Sequence, residues 1–280
     1  MVVAGKEAGQ LDWRTKRHGK LAQGAVGAFG TLWGTGMVDL TGKAAVVTGG
    51  TRGIGRAIAE SLADAGAAVA VGARSAGDVR ETEAALRNEG HRRSGRALGI
   101  ECDVRRSADC ERLIERTVAE FGRLDVLVNN AGAGGFAHVA DMTADLWAEI
   151  IETNLNSLFY CCHAAIPHMR SAGGGWIINI GSLAGRNAFP GGAAYNASKF
   201  GLIGFSEALM QEVRWDGIRV SYIMPGSVAT EFNSPTAASR DQTWKVQPED
   251  IAQIVTDLLA FPDRTLPSRI EVRPAQPPRK

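Results

Sequence analysis

The chain has 280 residues, of which 45% are hydrophobic and 22% charged, and 31 Lys+Arg against 30 Asp+Glu leave a formal net charge of +1. This is ordinary globular composition with enough apolar residues for a sizeable core, and the even charge excludes a strongly basic nucleic-acid binder or an acidic disordered protein as a description of the whole chain. The four cysteines, Cys102, Cys110, Cys161 and Cys162, form no C-x-x-C pair and no readable disulfide framework, which suits a reducing, cytoplasmic setting.

Residues 1–36 read as a leader outside the folded part. The basic run Arg14–Lys20 followed by the apolar stretch Leu21–Val38 has the order of a secretory or organelle presequence. However, the stretch carries Gly24, Gly27, Gly30, Gly34 and Gly36, each weakening a helix by about 1 kcal/mol. No membrane span is expected there. Met37 leads straight through Val38–Lys43 into the first strand, so a disordered leader, or an upstream start with Met37 as the true beginning, is the simpler reading.

From Lys43 short apolar runs alternate with longer amphipathic segments. Strands are expected at Ala44–Thr48, Ala68–Val71, Ala97–Cys102, Leu124–Val128, Trp176–Ile180, Val220–Ile223 and Arg269–Val272. Helices are expected at Gly53–Ala65, Asp78–Glu89, Ala108–Phe121, Ala144–Arg170, Ala193–Val213 and Pro248–Ala260. This alternation means βαβ units, hence one doubly wound α/β domain over 37–273 with a mostly parallel seven-stranded sheet covered on both faces. Thr230–Lys245 reads as a mobile loop and Pro274–Lys280 as a disordered tail.

The first strand runs into Thr48-Gly49-Gly50-Thr51-Arg52-Gly53-Ile54-Gly55, and a helix follows directly. Glycines let backbone approach a diphosphate, and the helix N-terminus offers free N–H groups and partial positive charge. A glycine cluster alone also serves a plain tight turn; the strand–turn–helix context favours a dinucleotide. After the second strand no carboxylate lies between Val69 and Ala76 to accept the adenosine ribose hydroxyls. Arg74 stands there instead, with Arg52 inside the glycine turn, and a guanidinium suits a 2′-phosphate. NADP is therefore the expected cofactor, with NAD the alternative.

Tyr195 and Lys199 stand at i and i+4 on one helix face. A lysine there is expected to lower the phenol pKa from about 10 toward neutrality and make it a usable acid or base. Ser182, ending the preceding strand, is placed to hold a carbonyl or hydroxyl by hydrogen bond. Asn154 falls on or beside the buried face of the Ala144–Arg170 helix, among Trp147, Ile150, Ile151, Leu155, Leu158 and Cys162; taken alone it also reads as a satisfied core amide.

Together these residues resemble the short-chain dehydrogenase/reductase family, in its shorter subfamily, over about Leu40 to Val272. The resemblance rests on Thr48-Gly49-x3-Gly53-x-Gly55, Asp103, Asn129-Asn130-Ala131-Gly132, Asn154, Ser182, Tyr195-x3-Lys199 and Pro225-Gly226. It implies a catalytic tetrad of Asn154, Ser182, Tyr195 and Lys199. Tyr195 would be the acid toward a carbonyl or the base toward an alcohol, Ser182 would orient the reacting oxygen, Lys199 would bond the nicotinamide ribose, and Asn154 would hold a relay water. It also implies that Asp103 and Val104 flank the adenine, that Asn130, Ala131 and Gly132 line the cofactor, and that Pro225, Gly226, Val228 and Thr230 contact its nicotinamide amide and diphosphate.

The implied substrate is a small-molecule carbonyl or alcohol, with no nucleic acid or membrane partner; members resembling this chain are often described as 3-oxoacyl-(acyl-carrier-protein) reductase-like. An NAD-linked alcohol dehydrogenase and a non-catalytic nucleotide sensor on the same fold are the alternatives. A homodimer or homotetramer is implied, but the end Ile270–Ala275 lacks the glycine-rich close that helps build one tetramer interface. Cys161, Cys162, His163 and His168 share one helix without matching partners elsewhere, so no metal is expected. Trp147 and Trp176 read as packing residues.

Overall fold

Short β-branched runs form the centre of the molecule. The computed structural model describes residues 38–88, 95–230, 232 and 242–278. The expected leader, most of the Thr230–Lys245 loop and the last two tail residues lie outside the described residues. Among the described residues, the strands are β1 (Ala44–Thr48), β2 (Ala68–Ala73), β3 (Ala97–Glu101), β4 (Val126–Asn129), β5 (Gly175–Ile180), β6 (Ile218–Pro225) and β7 (Arg269–Val272). All pair in parallel, in the order β3-β2-β1-β4-β5-β6-β7. The expected doubly wound α/β fold is the one observed.

The helices are α1 (Gly53–Asp64), α2 (Ala76–Asn88), α3 (Ser107–Phe121), α4 (Ala144–Ile151), α5 (Ser157–Ser171), α6 (Ala193–Val213) and α7 (Pro248–Leu259). They bury the two faces of the sheet separately. Val47, Val69, Val128 and Ile178 meet Ile58 and Leu62 of α1 and Val255 and Leu258 of α7. Val46, Ala70, Leu127 and Ile177 meet Leu113 and Ile114 of α3, Cys161 and Met169 of α5 and Leu209 of α6. The period-two alternation sends neighbours to opposite layers, and each fully buried Val, Leu or Ile contributes roughly 1.5–3 kcal/mol. All four cysteines are buried, free thiols.

The start of β4 is tied to β1 by Asp125, whose carboxylate accepts from the Ala44 N–H (3.0 Å), Lys43 Nζ (3.1 Å) and Arg123. Burial pushes the Asp125 pKa up, but Arg123, the Ala44 N–H and Lys43 outweigh it and hold the group below the ordinary carboxylate value.

The expected helix Ala144–Arg170 is corrected. It is two helices joined by a π turn over Glu152–Asn156. The inserted residue rotates everything after it, so Ile150 is fully buried while Trp147 is 43% exposed and is not the packing residue expected. Trp176 is buried, with the Arg219 guanidinium 4.3 Å from its ring centre.

Strand order reverses between β1 and β4, whose C-terminal ends splay two loops apart. In open α/β sheets the crevice at this switch point is where ligands bind.

Candidate active site

The glycine turn closes β1 onto α1. Gly49 has φ +63°, which suits glycine, and a Cβ on Gly55 would come within 2.2 Å of the Gly49 carbonyl oxygen and 2.3 Å of Asn130 Nδ2. The Asn130 side chain donates to the carbonyls of Thr48 (2.9 Å) and Gly49 (3.1 Å), while Thr48 Oγ1 accepts from the backbone N–H groups of Asn130 (3.0 Å) and Ala131 (3.1 Å). The loops after β1 and β4 are therefore cross-linked into one floor. Helix α1 starts at Arg52 without a side-chain cap, which leaves its first-turn N–H groups available to an anion. Thr230 stands over this turn, with its Cγ2 3.3 Å from where a Gly53 Cβ would be. Val228 pairs with Val246 in an isolated parallel bridge, and the Gly226 N–H donates to the Val272 carbonyl (2.8 Å) directly after Pro225. Thr51 and Ile54 complete the turn, partly buried.

This cradle fits a dinucleotide: backbone approaches without side chains in the way, uncapped helix donors lie at its base, and Thr230 closes one side. Arg52 and Arg74 are exposed, and neither side chain has a hydrogen bond or ion pair among the described residues. Arg74 lines a groove of about 600 Å³ with Asp103, Arg106 and Arg116. The Asp103 carboxylate is already held by Arg105 (Nε 2.9 and 3.0 Å), which keeps its pKa below the ordinary value. Val104 is buried beside it, and its carbonyl accepts from Cys110 Sγ.

On the other side of the switch point, α6 carries Tyr195 and Lys199. Lys199 is buried; its Nζ donates to the Ile180 carbonyl (3.1 Å) and lies 5.9 Å from the Tyr195 ring centre. Burial brings its pKa down to about 8. Burial also holds Tyr195 above the ordinary phenol value, while the Ser182 hydroxyl facing it pulls the other way. The expected lowering of Tyr195 by Lys199 is therefore corrected for this structure. Loss of hydration dominates both groups, and the same burial disfavours the ammonium charge that would do the lowering.

Asn154 sits in the π turn, fully buried. Its Oδ1 accepts from the Ala133 N–H (2.7 Å), and its Nδ2 donates to the Ala133 carbonyl (2.9 Å) and to Ser198 Oγ (3.1 Å). Protein partners thus occupy the amide, and Gly132 lies beside it, its would-be Cβ 3.5 Å from Oδ1. Ser198 Oγ in turn donates to the Tyr195 carbonyl (2.8 Å). Ser198 was not singled out in the sequence, although its place at i+3 from Tyr195 puts it on the same inward face of α6. Asn196 was also missed: it donates to the carbonyls of Ala184 (2.7 Å) and Asn187 (3.2 Å), and so holds the loop after Ser182 to α6. Asn154, Ser182, Tyr195 and Lys199 are all brought to the mouth of the switch-point crevice.

Comparison with known proteins matches residues 43–241 to the family described as short chain dehydrogenase. The chain belongs to this family. It is 44% identical over 196 residues, covering 69% of this chain and 74% of the relative, to a protein of Streptomyces virginiae named as a candidate ketoacyl reductase of the monensin polyketide synthase. It is 40% identical over 205 residues, covering 73% and 80%, to the 3-oxoacyl-[acyl-carrier-protein] reductase FabG of Escherichia coli. Among solved structures, a metagenomic short-chain oxidoreductase in complex with NADP is 37% identical with a TM-score of 0.73, covering 85% of this chain and 99% of that one. This short-chain dehydrogenase is an NAD(P)-dependent oxidoreductase acting on CH–OH or C=O groups. Among the described residues no group of three or more His, Cys, Asp and Glu is placed to hold a metal, and no helix is long and apolar enough to cross a membrane.

Proposed function

We propose that this short-chain dehydrogenase reduces a ketone, or the 3-oxo group of an acyl thioester, with a hydride taken from NADPH. The observation that carries the reading is the Ser182–Tyr195–Lys199 constellation at the switch point, opposite an uncapped glycine turn. When bound, the cofactor supplies the hydride. Ser182 and Tyr195 hold the substrate oxygen, and Tyr195, kept protonated by its burial, gives that oxygen a proton. Lys199 bonds the nicotinamide ribose and refills Tyr195. Asn154 positions the loop after β4 and the Ser198 link to Tyr195. Asp103 and Val104 bound the adenine; Gly49, Thr51, Gly53, Ile54 and Gly55 carry the diphosphate; Asn130, Ala131, Gly132, Pro225, Gly226, Val228 and Thr230 complete the nicotinamide side.

The preference for NADP(H) is supported by the unpaired, exposed Arg52 and Arg74 and by the lack of any carboxylate from Val69 to Ala76. The ketoacyl reductases among its relatives support the substrate class. A homodimer is supported by Phe159 and Phe200, exposed on α5 and α6.

The test is a cofactor and carbonyl panel followed at the nicotinamide absorbance band. Tyr195→Phe should lower turnover by about 10²–10⁴-fold with cofactor affinity retained, and near-normal turnover would overturn the mechanism. Arg74→Ala should weaken NADPH by about tenfold or more and leave NADH nearly unchanged, because charge-assisted phosphate bonds are lost from one cofactor only. An equal loss for both would remove the basis for the NADP(H) preference.

A further inference from the structure

Three phenylalanines from three different loops converge on the phenol of Tyr195. The Phe136 ring stands edge-on to Tyr195 at 5.8 Å between ring centres and edge-on to Phe189 at 5.6 Å, and Phe232 lies 6.1 Å from Tyr195. A ring packed to fill a core would be covered, yet Phe136 is 50%, Phe189 41% and Phe232 44% exposed. Their open faces line the approach to the tyrosine.

Two of the walls are held in place by backbone. The Ala137 N–H donates to the Gly191 carbonyl (3.0 Å), which joins the Phe136 loop to the Phe189 loop, and the Phe189 N–H donates to Asn196 Oδ1 (3.3 Å). The cage is also neutral. Arg186 is the one charged residue of Leu183–Ala194, and its guanidinium is taken by Glu271. The polar groups left facing the cage are the hydroxyls of Tyr195 and Ser182.

We propose that Phe136, Phe189 and Phe232 form a cage for a planar aromatic ring, so that the favoured substrates are aryl ketones and the corresponding secondary alcohols. This rests on the carbonyl-reducing reading of Tyr195. The carbonyl carbon takes the hydride and its oxygen takes one proton, so the C=O π bond becomes one C–H and one O–H bond while NADPH is oxidised to NADP⁺. A straight acyl chain gains burial against such walls. A planar ring gains in addition edge-to-face contacts, each worth about two- to tenfold in affinity.

The experiment compares kcat/KM of the full-length enzyme with NADPH for 1-tetralone and for acetoacetyl-N-acetylcysteamine, in the wild type and in Phe136→Leu and Phe189→Leu. Leucine keeps apolar bulk and removes the ring. The wild type should favour tetralone by about tenfold or more, and each leucine variant should lose about three- to tenfold on tetralone with the thioester within about twofold. A wild type that favours the thioester, or variants that lose equally on both, would overturn the cage. If neither compound is reduced, the carbonyl reading fails, and the cage is then decided by titrating 1-tetralol against intrinsic fluorescence. Saturable binding that weakens in Phe136→Leu supports it, and no saturable binding overturns it.

Discussion

Burial moves the protonation equilibria of Tyr195 and Lys199 in opposite directions, and both end uncharged more readily than in water. For Tyr195 this protects the proton that the reaction needs. For Lys199 it has a consequence for stability. Its folded-state pKa, about 8, lies below the ordinary value of 10.5, so the folded protein releases a proton that the unfolded chain keeps in the window between them. Stability bound to this group is therefore fully present above about 10.5, declines as pH falls through the window, and is lowest below about 8. The cofactor-free protein should show a urea midpoint that rises from pH 7.5 to about 9.5, and Lys199→Met should flatten that rise. An unchanged slope in Lys199→Met would show that the ammonium is hydrated rather than enclosed.

Among the elements, the interrupted α4–α5 helix governs the site. The π turn brings Asn154 inward at a depth where its amide finds Ala133 and Ser198. Asn154→Ala leaves the Ala133 N–H, the Ala133 carbonyl and Ser198 Oγ short of partners, at about 1–3 kcal/mol per buried unsatisfied group. A fall of at least about 2 kcal/mol in unfolding free energy is expected from urea titration. Ser157→Ala, which removes a hydroxyl bonded only to its own helix at Thr153, should stay within about 1 kcal/mol. Equal effects from both would mean that Asn154 does not pin the loop. This element also marks the limit of what the chain alone reveals. β1, α6 and β7 are legible to the residue, because glycines, small residues and apolar runs bound them sharply. The π turn is not, since one inserted residue leaves Trp147, Ile151, Leu155 and Leu158 looking like a continuous stripe while shifting which of them reaches the core. Tyr195, Lys199 and the glycine turn were readable because their chemistry depends on short spacings. The phenylalanine cage was not, because Phe136, Phe189 and Phe232 lie far apart in the chain and meet only after folding.

At the scale of the whole molecule, the two ends of the chain contribute unequally. Leu40 is the first buried residue described; its N–H donates to the Ala65 carbonyl, and it packs in the layer that holds α1 and α7. β1 has both edges paired, by β2 and β4, and helices on both faces. Every proposed catalytic and cofactor residue is carried between Thr48 and Thr230. A chain that starts at Met37 should therefore fold with a Tm within about 2 °C of the full chain and keep its kcat/KM within about twofold. Insolubility or inactivity would make the leader part of the fold. The other end behaves differently. β7 supplies the outer partner of β6 over Tyr222–Pro225, the Val272 carbonyl holds Gly226, Glu271 takes Arg186 of the substrate loop, and Pro274 rests against Gly226. Ending the chain before Arg269 strips all four contacts from the nicotinamide side. That truncation should lower the Tm by more than about 8 °C, through lost sheet pairing and burial, and abolish turnover. The pair of truncations, melted and assayed side by side, reads the asymmetry directly; equal losses at both ends would contradict it.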